Sequence, residues 1–233
     1  MLAAETSRIR QSNSAIEPGA QKDTQIDRYE LKYVVDPHIV PAIREFIQPF
    51  VNRDNNGVGD IPEYMVTTLQ LDSPNAALHY AKERKSYSRF KLRIRTYGTD
   101  GECPYFLEIK RKVNTMILKS RAILPPEDYC GENILRPTTL IPFRTESENI
   151  NYLEFVRLVN EIGARPRIFI RYIRESYKGT SESYSRVTLD RSITYRPAQD
   201  RWEFPHREKR WYALDTQVSL RREFPGHILE LKS

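Results

Sequence analysis

The stretch SRFKLRIRTYG, residues 88–98, sets Arg89, Lys91, Arg93 and Arg95 on alternate positions, with Phe90, Leu92 and Ile94 between them. Residues two apart share one face of a β-strand, so this period predicts a strand with one apolar and one densely cationic face. Four like charges in a row repel, and the repulsion grows as water is withdrawn. A chain that keeps such a row needs bulk solvent over it, or an anion.

The alternation recurs. Arg28, Glu30 and Lys32 share a face of 26–35, opposite Tyr29, Leu31 and Tyr33. Glu108, Lys110 and Lys112 of 104–113 oppose Leu107 and Ile109, and Lys119 and Arg121 share a face of 116–124. Arg186, Thr188 and Asp190 oppose Val187 and Leu189; Glu230 and Lys232 oppose Leu229 and Leu231. One such strand is the ordinary wet face of a sheet. Six of them, with Arg and Lys prevailing over Thr, Ser and Gln, fit a sheet curled into a tunnel, charged face inward.

Further strands are expected over 63–72, 167–177, 184–196 (with a turn) and 209–218. Helices are few. One spans 36–50, opened by Asp36 and Pro37 and interrupted by Pro41 and Pro49. A second covers 73–85. In the third, 151–163, Tyr152, Phe155, Val159 and Ile162 recur at helical spacing before Gly163. The segment 52–60 reads as loop, and 125–150 shows little regular pattern. The class expected is α+β: an antiparallel β-barrel tunnel with helices packed outside. A polar tail over 1–24 is expected to precede a single domain over 25–233.

Composition narrows the chemistry. With 39% hydrophobic and 29% charged residues the chain is of the soluble globular type, and its apolar runs are too short for a bilayer. The start lacks the apolar core of a secretory signal, so a cytoplasmic location is expected. Cys103 and Cys130 lack metal-ligand spacing and are expected as free thiols. His38, His79, His206 and His227 stand apart, which argues against a zinc site. A net charge of +6 favours an anionic partner. The residues between the cations of 88–98 are mainly aliphatic rather than base-stacking aromatics, so nucleic acid is not expected. A phosphate chain is narrow, with oxygens on every side that match guanidinium forks and ammonium groups. The interspersed carboxylates suit a divalent metal bridging phosphate oxygens, and no glycine-rich phosphate loop is present.

In order and spacing, RYELKY (28–33), KLRIRTYG (91–98), FLEIKRKVN (106–114), LKSRA (118–122), RYIRESY (171–177), RVTLD (186–190) and ILELK (228–232) resemble the VTC domain. That is the polyphosphate polymerase module of the vacuolar transporter chaperone complex and its bacterial relatives, within the triphosphate tunnel metalloenzyme superfamily alongside the CYTH phosphatases. The resemblance runs from about residue 25 to 233. It implies a basic tunnel that binds ATP and inorganic polyphosphate or tripolyphosphate and uses Mn²⁺ or Mg²⁺ to move the ATP γ-phosphate onto a growing chain. A membrane partner could collect the product. Alternatives on the same scaffold are a triphosphate or polyphosphate hydrolase and a non-catalytic polyphosphate-binding module.

Carried over by motif, the catalytic residues implied are Lys32, Arg93, Arg95, Lys110, Lys119 and Arg186, all of them also phosphate ligands. Lys91, Arg121, Arg171 and Arg174 complete the phosphate-binding set. Glu230, Glu30 and Glu108 are the implied metal ligands. Tyr29, Tyr33 and Tyr97 are expected to pack rather than contact a base. Two departures stand out. The opening reads R-x-E-x-K (Arg28, Glu30, Lys32) where CYTH phosphatases have E-x-E-x-K, and this exchange of a carboxylate for a cation favours polyanion binding over triphosphate hydrolysis. Relatives also continue past the ELK strand into a helical segment with a Ser-Lys-Tyr motif, whereas this sequence stops at Ser233, so either it ends early or the terminal element is absent, which leaves tunnel closure and catalytic competence open.

Overall fold

The computed structural model describes residues 30–57, 59–99, 101–114, 116–137, 141–181, 185–221 and 225–232. The expected tail, Arg28 and Tyr29 lie outside them. Alternating sequence becomes strand throughout: β1 (Glu30–Val35), β2 (Val51–Arg53), β3 (Glu63–Asp72), β4 (Ser88–Tyr97), β5 (Tyr105–Val113), β6 (Met116–Leu124), β7 (Arg165–Gly179), β8 (Arg186–Pro197), β9 (Tyr212–Ala213) and β10 (His227–Lys232). The helices are α1 (Val40–Ile47), α2 (Ala77–Glu83), α3 (Gly131–Leu135), α4 (Glu146–Glu161) and α5 (Gln217–Leu220).

All ten strands join one antiparallel sheet in the order β1-β10-β8-β7-β3-β4-β5-β6, with β2 against β7 and β9 against β8. Among the described residues the end strands β1 and β6 do not pair, so the barrel is not closed by backbone hydrogen bonds. The sheet nonetheless curls on itself. Lys110 of β5 comes within 3.7 Å of Glu30 of β1, although five strands separate them along the path.

Register sorts the two faces. On the concave face lie Thr68 opposite Arg95, Gln70 opposite Arg93, Arg93 opposite Glu108, Glu108 opposite Arg121 and Lys110 opposite Lys119. Around the wall, Lys32 faces Glu230, Glu230 faces Thr188, and Asp190 faces Arg174. The convex face holds the core. Leu69, Leu92, Ile94, Leu107, Ile109, Ala122 and Leu124 are buried there against Phe155 and Val159 of α4 and against Trp202 and Phe204 of a covering loop. Each large apolar side chain so buried contributes about 2 kcal/mol. α4 is fixed at its start by Thr145, whose hydroxyl accepts from the Glu148 amide at 3.2 Å, and it ends before Gly163 at φ +60°. Arg111 on the convex face of β5 ties to Glu154 of α4.

Three expectations change. The segment 186–197 is one strand without a turn: its surplus residue is taken up as a bulge, where Ser192 has φ +52° and two steps on β7 oppose three on β8. In place of a strand over 209–218 stand the two residues of β9 and then α5, because Asp215 and Thr216 redirect the backbone: Asp215 accepts from the Ile193 amide and Thr216 caps α5. The irregular stretch 125–150 contains α3 and the first turn of α4.

Candidate functional site

The concave face gathers most of the cations singled out above. Its deepest element is Glu108, whose side chain has 0% exposure at the middle of β5. One carboxylate oxygen accepts from Arg93 Nε at 2.6 Å. The other accepts from Arg121 Nη2 at 2.7 Å and meets Lys119 Nζ at 2.7 Å. Burial alone would raise Glu108, but Arg93, Arg95 and Lys119 hold it well below the usual carboxylate range. Lys119 answers in kind. Burial, only partly offset by Glu108 and reinforced by Arg121 and Arg93, brings it down to about 8.

Beside this cluster, Arg95 is 8% exposed, and its Nε has no hydrogen-bond partner among the described residues. Two further buried atoms on the same face, Thr68 Oγ1 and Thr188 Oγ1, are also without partners. Buried polar atoms are nearly always paired, so these three, one guanidinium donor and two hydroxyls on the channel face, are groups that a water or an anion's oxygens would satisfy. Tyr172, half-buried on β7, lies in the fields of Arg174, Arg95, Asp190 and Arg93.

The facing wall is built from β1, β10, β8 and β7. Lys32 Nζ sits 3.1 Å from Glu30 and 3.0 Å from Glu230. Arg174 holds Asp190 through two 2.7 Å hydrogen bonds and lies 3.8 Å from Glu230. Burial would raise Glu230, but Lys232 at 2.5 Å and Lys32 bring it down to about 2. Arg186 is exposed on the same face, its register partners being Lys178 and Lys232. Lys91 forms no ion pair among the described residues; burial and the nearby Lys82, Lys110, Arg93 and Lys32 press it downward.

Arg171 does not join the group. It lies on the convex face, with Nε 3.1 Å from Thr67 Oγ1, Nη2 donating to the Pro205 carbonyl at 3.0 Å, and its guanidinium 4.1 Å from the Trp211 ring. Arg171 and Arg174 are three residues apart, and an odd spacing puts them on opposite faces of a strand. Tyr97 packs edge-on against Tyr64 and Phe106 at 5.7 and 5.3 Å, at the far end of the β4 face from Lys91. Tyr33 is half-exposed. Asp190, Thr68 and Thr188 were not singled out as site residues. A polar residue in step with the cations of its strand was the available signal for each.

The implied metal can be tested on its donors. Glu108 does not fit, because both of its oxygens are taken by cations and no surface remains for a hydrated ion. The oxygens of Glu230 are taken as well, one by Lys32 at 3.0 Å and the other by Lys232 at 2.5 Å, but Glu30 converges with it on the Lys32 ammonium, so a divalent ion that displaced the lysines would meet two carboxylates, to be completed by phosphate oxygens and water. Among the described residues no cluster of three or more His, Cys, Asp or Glu forms a metal cage of its own.

No curated protein matches the chain. Two solved structures align over 88% of it: the PH1819 protein from Pyrococcus horikoshii OT3, at 15% identity, TM-score 0.43 and 77% of that chain, and the proposed adenylyl cyclase HpAC1 from Hippeastrum, in which a triphosphatase activity dominates, at 14%, 0.42 and 78%. Likeness of that depth has no bearing on what this chain does. The VTC domain model, by contrast, matches residues 27–233, a span that takes in every strand of the basic channel. A curled antiparallel sheet lined with paired Arg, Lys and Glu, matched along its whole length, makes this chain a member of the VTC domain family.

Proposed function

We propose that the chain is a polyphosphate polymerase, moving the γ-phosphate of ATP onto a polyphosphate chain held in the channel. The observation that supports this most is the fully buried Glu108, gripped by Arg93, Lys119 and Arg121 next to Arg95, whose Nε has no partner among the described residues. A carboxylate held in this way stands in for an anion, and a phosphate group presents more oxygens and more charge to the same donors. Phosphoryl transfer asks mainly for alignment and charge neutralisation, which a preorganised set of guanidinium and ammonium groups supplies.

In this reading Arg93, Arg95, Lys110, Lys119 and Arg121 bind and align phosphate oxygens from one wall, and Lys32, Arg174 and Arg186 from the other. A divalent metal, Mn²⁺ or Mg²⁺, when held by Glu30 and Glu230, would neutralise phosphate charge. Exchange of the first CYTH carboxylate for Arg28 favours chain binding over hydrolysis. A cytoplasmic location and a membrane partner that collects the product belong to the same reading; no described helix is long and apolar enough to cross a membrane.

The protein incubated with ATP and Mn²⁺ should yield chains visible on a polyphosphate-stained gel. Orthophosphate without chains would make it a hydrolase, and tripolyphosphate binding without turnover a binding module. Glu230→Gln should cost turnover far more than tripolyphosphate affinity; equal losses would remove its metal role.

A further inference from the structure

At one end of the channel the strands stop short of a pocket that the channel alone does not explain. It has a volume of about 370 Å³ and is lined by Gln70 and Asp72 of β3, His79 and Lys82 of α2, Lys91 of β4 and Arg167 of β7, among others. Its charge is one-sided. Asp72 is buried, and its carboxylate is occupied by the amides of Ser73, Leu78 and His79 at 2.8–2.9 Å, which cap α2. Glu83 pairs with Lys82 at 2.5 Å, with both side chains about half exposed to water. Lys91 and Arg167 form no ion pair among the described residues.

Arg167 reaches this pocket because of a fault in the ladder. Gln70 lies opposite Ile168 and Leu71 opposite Pro166, so Arg167 is the surplus residue of a β-bulge. Bulges re-aim side chains at the rims of barrels. Lys91 links the pocket to the channel, since it lines the pocket with Lys82 and lies opposite Lys110 on the channel face.

We infer that this pocket is a second polyanion site, in which Lys82, Lys91 and Arg167 hold the phosphate units of a chain too long for the channel. The inference rests on the proposed reading of the channel and adds a length preference to it: affinity per chain rises once the chain extends past Lys91. Exposed cation–phosphate contacts are individually modest, so the gain comes from several acting on one tethered ligand.

The test compares tripolyphosphate with long-chain polyphosphate by calorimetry at fixed ionic strength, using the full chain, the Lys82→Ala/Arg167→Ala double variant and Lys209→Ala as an equally exposed control outside the pocket. The wild type should bind the long chain more tightly. The double variant should lose about five- to tenfold of long-chain affinity and keep its tripolyphosphate affinity, while the control changes neither. Equal losses at both lengths, or no loss at either, would overturn the pocket and leave the channel reading intact. A wild type that binds neither ligand would overturn both.

Discussion

If Glu108 acts as a resident substitute for a bound anion, removing its charge should make the empty protein less stable and its dependence on ligand greater. In Glu108→Gln the Arg93, Lys119 and Arg121 side chains lose the carboxylate they share. Breaking a buried ion pair by deleting one partner costs about 3–5 kcal/mol. Here the partners are 24, 41 and 38% exposed, so water screens part of the loss, and about 2–3 kcal/mol is expected. For a domain of this size that lowers Tm by roughly 5–10 °C. Tripolyphosphate at about 100 times its Kd returns about 2.7 kcal/mol. It should raise the variant's Tm by more than the wild type's, because it no longer competes with Glu108 for the same donors. Thermal unfolding followed by circular dichroism, with and without the ligand at constant ionic strength, reads both shifts. A variant that melts with the wild type, or an equal ligand-induced rise in the two proteins, would refute the substitution of one anion by another.

Two further outcomes follow from the same wall. Lys119, brought down to about 8, is about half neutral at pH 8, and an arriving polyanion raises it again. Tripolyphosphate binding at pH 8 should therefore take up about half a proton, visible as a dependence of calorimetric heat on buffer ionisation enthalpy, and affinity should fall as pH rises above 8. Lys119→Met should abolish the uptake; heats independent of buffer in the wild type would refute the assignment. Arg95→Met removes a buried guanidinium whose Nε has no partner among the described residues and whose hydrogen bond is to Tyr97, so the empty protein should lose little stability while tripolyphosphate affinity falls about ten- to hundredfold. Unchanged affinity would mean that Arg95 does not face the anion.

Much of the channel was legible because a period of two survives folding without ambiguity. Lys91, Arg93 and Arg95 had to share a face wherever 88–98 became a strand, and their aliphatic neighbours had to be covered. What a single strand cannot disclose is its neighbour's register. The part played by Glu108 depends on β4 and β6 bringing Arg93 and Arg121 level with it, so the carboxylate implied as a metal ligand became the counterion of three cations. Arg171 shows a different limit. The motif grouped it with Arg174, whereas strand parity separates the two, and parity prevailed. The bulges in β7 and β8 were illegible too, because nothing local in PRIF or DRSITY announces a surplus residue.

That β1 and β6 do not pair among the described residues gives the tube an unusual kind of elasticity. Its girth is secured along most of the circumference by backbone ladders, but along one line the described contact across it is a side-chain ion pair, Lys110 to Glu30 at 3.7 Å. Salt loosens such a clasp far more easily than a ladder. A bore fastened in this way can change girth without unfolding any strand, so amide exchange should begin along that line.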